Sequence, residues 1–235
     1  MDIASIQAAK GSFGKAVYKF GFNTAISTAE ETVWDGGGVY TYPASAAVAS
    51  LVSASAADDL TGTGAQKVTV EGLDANWKFQ SVEVDMDGTS AVATTETWRR
   101  IYRAYVTQAG SGEVNAGNIT ISTGGTTRAQ ISADQGQTLM AVYTVPDNLT
   151  GYVTGWSIGS GATSGNKYLH ARLIVRRNNG VIQTKAKTTL NNTNVVIPFD
   201  KAIVINPRDD IEIRAQTSSG TDEVSGTFSL VMQST

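Results

Sequence analysis

The side chains able to do chemistry are few and scattered. His170 is the single histidine and lies in Tyr168-Leu169-His170-Ala171-Arg172, between apolar neighbours on a predicted strand. A general base needs an orienting carboxylate and a nucleophile within hydrogen-bond reach. The sequence places neither, so His170 reads as a structural or surface residue. Carboxylates are adjacent at Glu30-Glu31, Asp58-Asp59 and Asp209-Asp210. Paired-carboxylate hydrolysis needs two groups set apart across a cleft, whereas adjacent residues on a strand point to opposite faces. These pairs read as loop residues. Asp85-Met86-Asp87-Gly88 begins like a calcium loop but lacks the sixth-position glycine and a third ligand, and reads as a hairpin turn. Gly36 to Gly38 and Gly124-Gly125 fit neither phosphate-binding glycine pattern. There is no cysteine, which excludes disulfides, thiolate zinc ligands and thiol nucleophiles. No catalytic, cofactor-binding or metal-binding residue is expected.

Basic residues concentrate only at Arg99-Arg100, Arg103, Arg172 and Arg176-Arg177. Alternation puts Arg172 and Arg176 on one strand face, where they can pair with carboxylates of a neighbouring strand or subunit. The net charge of −3 gives no overall basic field for nucleic acid or an anionic membrane. Trp34, Trp77, Trp98 and Trp156, with eight tyrosines, are spread along predicted strands, which suits packing better than a platform for sugars.

The elements that must hold these residues are short strands. Of 235 residues, 24 are Gly, 20 Ser and 29 Thr, with only 4 Pro, while 41% are hydrophobic. That is too apolar for a disordered chain and too rich in small polar residues for a helical one. The longest apolar run, Ala46 to Ala57, is broken by Ser and too short to span a membrane. The first residues lack the basic and apolar regions of a signal peptide.

Residues 1–60 are expected to form an N-terminal arm and hairpin that docks onto a partner. Within it Val17 to Phe22 is one alternating strand, with Tyr18, Phe20 and Phe22 on one face as anchors for strand addition. Trp34, at the head of the turn Trp34 to Gly38, joins them as a docking residue. Ala44 to Ala57 fits a short helix or a strand. From residue 61 to 235 the period is two, in about ten strands with turn residues every 8 to 15 positions. That spacing predicts an all-β, antiparallel β-sandwich, jelly-roll-like, without a fixed-period repeat.

Several strings in order carry a resemblance. They include Tyr18-Lys19-Phe20-Gly21-Phe22-Asn23, Glu31-Thr32-Val33-Trp34-Asp35-Gly36-Gly37-Gly38-Val39-Tyr40, Gln137 to Pro146, Gly180 to Lys185, Asp210 to Ala215 and Ser225-Gly226-Thr227-Phe228. Across residues 17 to 232 the chain resembles a family of virion proteins from tailed phages of aquatic bacteria. The resemblance implies a non-enzymatic structural component of a phage particle, located in the virion, with other virion proteins as partners and no nucleic acid or membrane. The expected place is the head surface, as a capsid decoration (cement) protein or short head fibre docked through its arm onto the major capsid protein. The alternative is a tail fibre, adaptor or receptor-binding component contacting tail proteins and host glycans. The absence of any coiled-coil or repeat shaft favours the head. Surface proteins of particles work by symmetry, so a homotrimer is expected, with Tyr102, Arg172 and Arg176 at the subunit contacts.

Overall fold

The alternation read from the sequence is expressed as strands throughout. The computed structural model describes residues 14–161 and 167–234, and every regular element named among them is a strand. The first are β1 (Lys15–Ile26) and β2 (Glu31–Thr32). Then come β3 (Ala47–Ser53), β4 (Ala65–Leu73), β5 (Phe79–Asp85), β6 (Val92–Trp98), β7 (Arg100–Ala109), β8 (Ile119–Thr123) and β9 (Thr126–Ile131). The last group is β10 (Val142–Thr144), β11 (Leu149–Ser160), β12 (Leu169–Arg176), β13 (Ile182–Leu190), β14 (Asn194–Ile205), β15 (Asp210–Thr217) and β16 (Asp222–Ser234). The chain packs as two units, Met1–Val39 with Ala141–Thr235, and Tyr40–Met140. In sequence, the second is therefore inserted between β2 and β10.

The first unit has two sheets, ordered β1-β16-β11-β14 and β10-β15-β12-β13, with β2 added beside β15. Leaving β2 aside and counting the eight strands along the chain, these orders read 1-8-3-6 and 2-7-4-5. Every connection crosses between sheets except the β12–β13 hairpin, and all pairings are antiparallel. This is the eight-stranded jelly roll. Its core is built from the inward positions Val153, Trp156 and Ile158 of β11 and Val224, Phe228 and Leu230 of β16. They meet Leu169, Leu173 and Val175 of β12 and Ile211 and Ile213 of β15, all fully buried. The Tyr143 hydroxyl donates to Met232 Sδ at 3.4 Å, tying β10 to β16 across the core.

The expected division at residue 60 is not where the chain divides. Residue 60 falls inside the second unit, between β3 and β4. Residues 1–13 of the expected arm lie outside the described residues. The rest of it is no free arm: β1 pairs with β16 from Lys15↔Met232 to Ile26↔Asp222. The sequence hid this because the buried positions at the middle of β1 are Lys19, Gly21 and Asn23, two polar residues and a glycine, with Val17 and Ile26 turned inward only toward its ends. Gly21 is required by the packing. A Cβ there would collide with the Val33 carbonyl oxygen and the Ala141 amide nitrogen, both backbone atoms. Gly21→Ala is expected to cost about 1–3 kcal/mol, read as a lower thermal midpoint. An unchanged midpoint would show that β1 does not pack against this backbone.

The inserted unit is also all-β, with sheets ordered β6-β3-β8-β9 and β5-β4-β7. The Ala44 to Ala57 segment resolves as strand β3. Asp87-Gly88 is a turn, with Gly88 at φ 58. It joins strands of different sheets, however, and closes no simple hairpin. Gly124 and Gly125 turn β8 into β9 at φ 57 and 75. Buried Asp58 accepts from the amides of Ala65, Ala116 and Gly117 at 2.7, 2.7 and 2.9 Å and from Ser53 Oγ at 2.5 Å. It is a loop organiser. Tyr102 is 4% exposed, so the subunit contact expected of it has no surface to use.

Candidate functional site: the two faces of the jelly roll

Strand alternation gives each sheet of the roll a face turned away from its core, and the two faces differ in chemistry. On the β10-β15-β12-β13 sheet the registered residues include Asp210, Glu212 and Arg214 of β15 beside Arg176, Ile174 and Arg172 of β12, with Lys187 next to Arg172 on β13. These charges are used inside the chain. Glu30 takes a bidentate pair from Arg172, at 2.6 Å from Nε and 2.5 Å from Nη2, and a further bond from Arg214 at 3.4 Å. Arg176 reaches Asp210 at 3.1 Å, and Arg177 reaches Asp209 at 2.5 Å. Fully buried Glu212 accepts from Arg214 Nη2 at 2.7 Å and from Thr32 Oγ1 at 2.6 Å. Pairing of Arg172 and Arg176 with carboxylates was readable from alternation. Their partners are Glu30 and Asp210 of the same chain, which occupies both arginines and removes the basis for placing them at subunit contacts. Glu212, Arg214 and Thr32 were missed. The signal was there: Asp210-Ile211-Glu212-Ile213-Arg214 alternates, so its charges share one face.

Burial works against the charge on Glu30, but the hydrogen bonds and charges of Arg172 and Arg214 outweigh it and hold its carboxyl below the ordinary value of 4.5. A depressed carboxylate stabilises the fold above its unfolded pKa and loses that contribution as pH falls through the folded one. Glu30→Gln is therefore expected to cost about 1.5–3 kcal/mol at pH 7, with the gap to the parent closing below pH 4.5. A gap independent of pH in thermal unfolding would count against the ion pair.

The β1-β16-β11-β14 sheet carries no such network. Its outward residues fall in four rows across the strands. They are Ala16, Val231, Tyr152, Val204; then Tyr18, Ser229, Gly155, Pro198; then Phe20, Thr227, Ser157, Val196; then Phe22, Ser225, Gly159, Asn194. None of the positions in these four rows is charged, and exposed Glu223, the next outward residue of β16, borders them beside Phe22 and Asn194. Asp200 and Lys201 lie on β14 in the bulged stretch between Pro198 and Ile203, out of register. The rows have a relief. Tyr18, Phe20 and Phe22 make an aromatic ridge on edge strand β1, with the Tyr18 and Phe20 rings 6.2 Å apart. Ser, Thr and Gly on β16 and β11 make a floor, where Ser157 and Thr227 hydroxyls bond each other at 2.6 Å. Pro198 and Val196 make the opposite rim. Two depressions lie along this floor, one between Phe22 and Asn194, the other between Tyr18 and Pro198. Tyr18 is 62% and Val196 77% exposed.

The expected docking residues therefore separate. Tyr18, Phe20 and Phe22 share one outward face, as the period of two required. Trp34 does not join them. It is buried, donates from Nε1 to the Gly38 carbonyl at 3.1 Å and covers Gly36, closing its own turn. His170 meets Thr189 Oγ1 at 3.0 Å on the charged sheet. Among the described residues no group of three His, Asp or Glu is placed to hold a metal ion.

No protein-family model matches the chain, and no characterised protein sequence does. Solved structures give weak matches to infectious bursal disease virus. The structure of its Gx strain matches at 11% identity, 92% of this chain, 71% of that chain and a TM-score of 0.28. Its VP2 subviral particle matches at 12% identity, 92% and 71% of the two chains and a TM-score of 0.27. At these values the jelly-roll assignment rests on the strand order itself.

Proposed function

We propose that this chain is a non-enzymatic structural protein of a virus particle, serving on the head surface of a tailed phage as a decoration protein or short fibre. The observation that carries this reading is the 1-8-3-6 and 2-7-4-5 jelly roll with a second β unit inserted in its sequence. Its faces present an ion-pair lattice and an aromatic surface in place of convergent reactive groups. The sequence resemblance to phage virion proteins supports the same reading. The trimer expected from the sequence has lost the contacts it was built on, since Tyr102 is buried and Arg172 and Arg176 are paired within the chain.

The test is location. Antibody-labelled images of purified particles should show the protein in regular copies on the head. Label confined to the tail would select the tail reading, and absence from purified particles would overturn both. Catalysis has its own check. His170→Ala should change stability by no more than about 0.5 kcal/mol, as for a surface substitution. A hydrolase activity abolished by that change would sink the non-enzymatic reading.

A further inference from the structure

We infer that the aromatic face of the β1-β16-β11-β14 sheet is a self-association surface, on which a second copy of this chain packs about a two-fold axis. Four observations on that face point to a copy of itself.

The first is charge. In a chain with 17% charged residues, the four central rows of this face carry none, and the charges Glu223, Asp200 and Lys201 stand at its border. Depletion of charge with exposed aromatics is the composition of an interface centre.

The second is shape. One face carries both a ridge, Tyr18, Phe20 and Phe22, and a floor of small residues, Ser225, Thr227 and Ser229 with Gly155, Ser157 and Gly159. A two-fold contact requires a patch that is complementary to itself. Face-to-face packing of two such sheets sets the ridge of each copy over the floor of the other, as inner faces of sandwiches interdigitate.

The third is matched spacing. Ridge and floor residues both repeat every second position along antiparallel strands in one register, so three knobs meet three gaps with the same step.

The fourth is size. Four strands at about 4.8 Å and seven residues at about 3.3 Å give roughly 450 Å² a side, on the order of 900 Å² for the pair. That lies just below the roughly 1,000 Å² of a stable interface and suits a weak, reversible dimer.

The experiment uses the full purified chain and stands apart from its place on any particle. Sedimentation equilibrium up to millimolar concentration should show a monomer–dimer equilibrium. Phe20→Lys sets an unpaired charge on the ridge and Ser157→Glu one on the floor. Each should weaken the dimer by at least about thirty-fold, with the thermal midpoint near that of the parent. An equimolar mixture of the two variants should dimerise again. The ammonium introduced on the ridge of one chain then lies over the carboxylate introduced on the floor of the other, while the second ridge and floor remain native. Tyr18→Lys, at a more exposed position, replaces Phe20→Lys in the same scheme should that chain fold poorly. A monomer at every concentration, a trimer, a dimer indifferent to these charges, or a mixture that stays monomeric would each overturn the inference.

Discussion

A chain lacking residues 1–30 fails to form the jelly-roll unit. The deletion takes away β1, a twelve-residue strand, and leaves β16 with an unpaired edge. Ten registered partners are lost. At about 0.5–1.5 kcal/mol net for each lost hydrogen bond, the loss is on the order of 5 kcal/mol or more, against a typical total stability of about 5–15 kcal/mol. Two further losses add to it. Ile26, fully buried, leaves the core, and Glu30 no longer neutralises Arg172 and Arg214. A long bare edge on β16 would also invite pairing between chains. The expected result is loss of the cooperative transition of this unit in circular dichroism and calorimetry, with aggregation on size exclusion. A soluble truncated chain with the parent's melting profile would show that residues 14–30 are an accessory arm after all.

That outcome reverses the expectation drawn from the sequence, and the reason lies in particular residues. Most strands were legible because apolar residues fall inward at every second position, as in Val68-Thr69-Val70 of β4, Trp156-Ser157-Ile158 of β11 and Ile211-Glu212-Ile213 of β15. The turn Asn178-Asn179-Gly180 was legible from its glycine, which sits at φ 89 between β12 and β13. β1 inverts the rule. Its large apolar side chains Tyr18, Phe20 and Phe22 face out, while Lys19, Gly21 and Asn23 face in. A period of two identifies such a strand and groups its aromatic residues on one face, but does not say whether that face turns to the core or away from it. The inserted unit was not legible either. Both units are all-β; Gly36-Gly37-Gly38 stands just before the Val39–Tyr40 joint but reads as a hairpin or bulge, and Met140–Ala141 falls inside one continuous apolar run. Of the candidate sites, the ridge and the Arg172–Arg176 face followed from alternation. Their partners did not, because Glu30 and Asp210 lie 142 and 34 positions away in sequence, a pairing that only the sheet order creates.

The same sheet order sets the second large effect, at Glu212. Its carboxylate has no exposure and is held by Arg214 through Nε at 3.1 Å and Nη2 at 2.7 Å, with Thr32 on the other oxygen. Arg214→Met keeps an apolar stem but leaves the buried carboxylate without its counter-charge, at an expected cost of about 3–5 kcal/mol at neutral pH. Protonation offers a way out, and it fixes the sign of the pH dependence. Burial already pushes Glu212 above its ordinary value of 4.5, against the pull of Arg214 and Thr32, and nearby Asp210 pushes the same way. Without Arg214 the pull weakens and the proton is held to higher pH. Between 4.5 and that raised value the folded chain binds more protons than the unfolded one, so stability falls as pH rises. The deficit of Arg214→Met relative to the parent should therefore be smallest near pH 4.5 and grow toward neutrality. Glu30 slopes the opposite way, but Arg172 still holds it in the variant, so its contribution largely cancels in the comparison. Replacing both partners, as Glu212→Leu with Arg214→Met, removes the stranded charge and should recover most of the loss. Chemical unfolding from pH 4.5 to 8 separates the cases. A deficit flat across that range, or a double variant no more stable than Arg214→Met alone, would mean that Glu212 and Arg214 do not act as one buried pair.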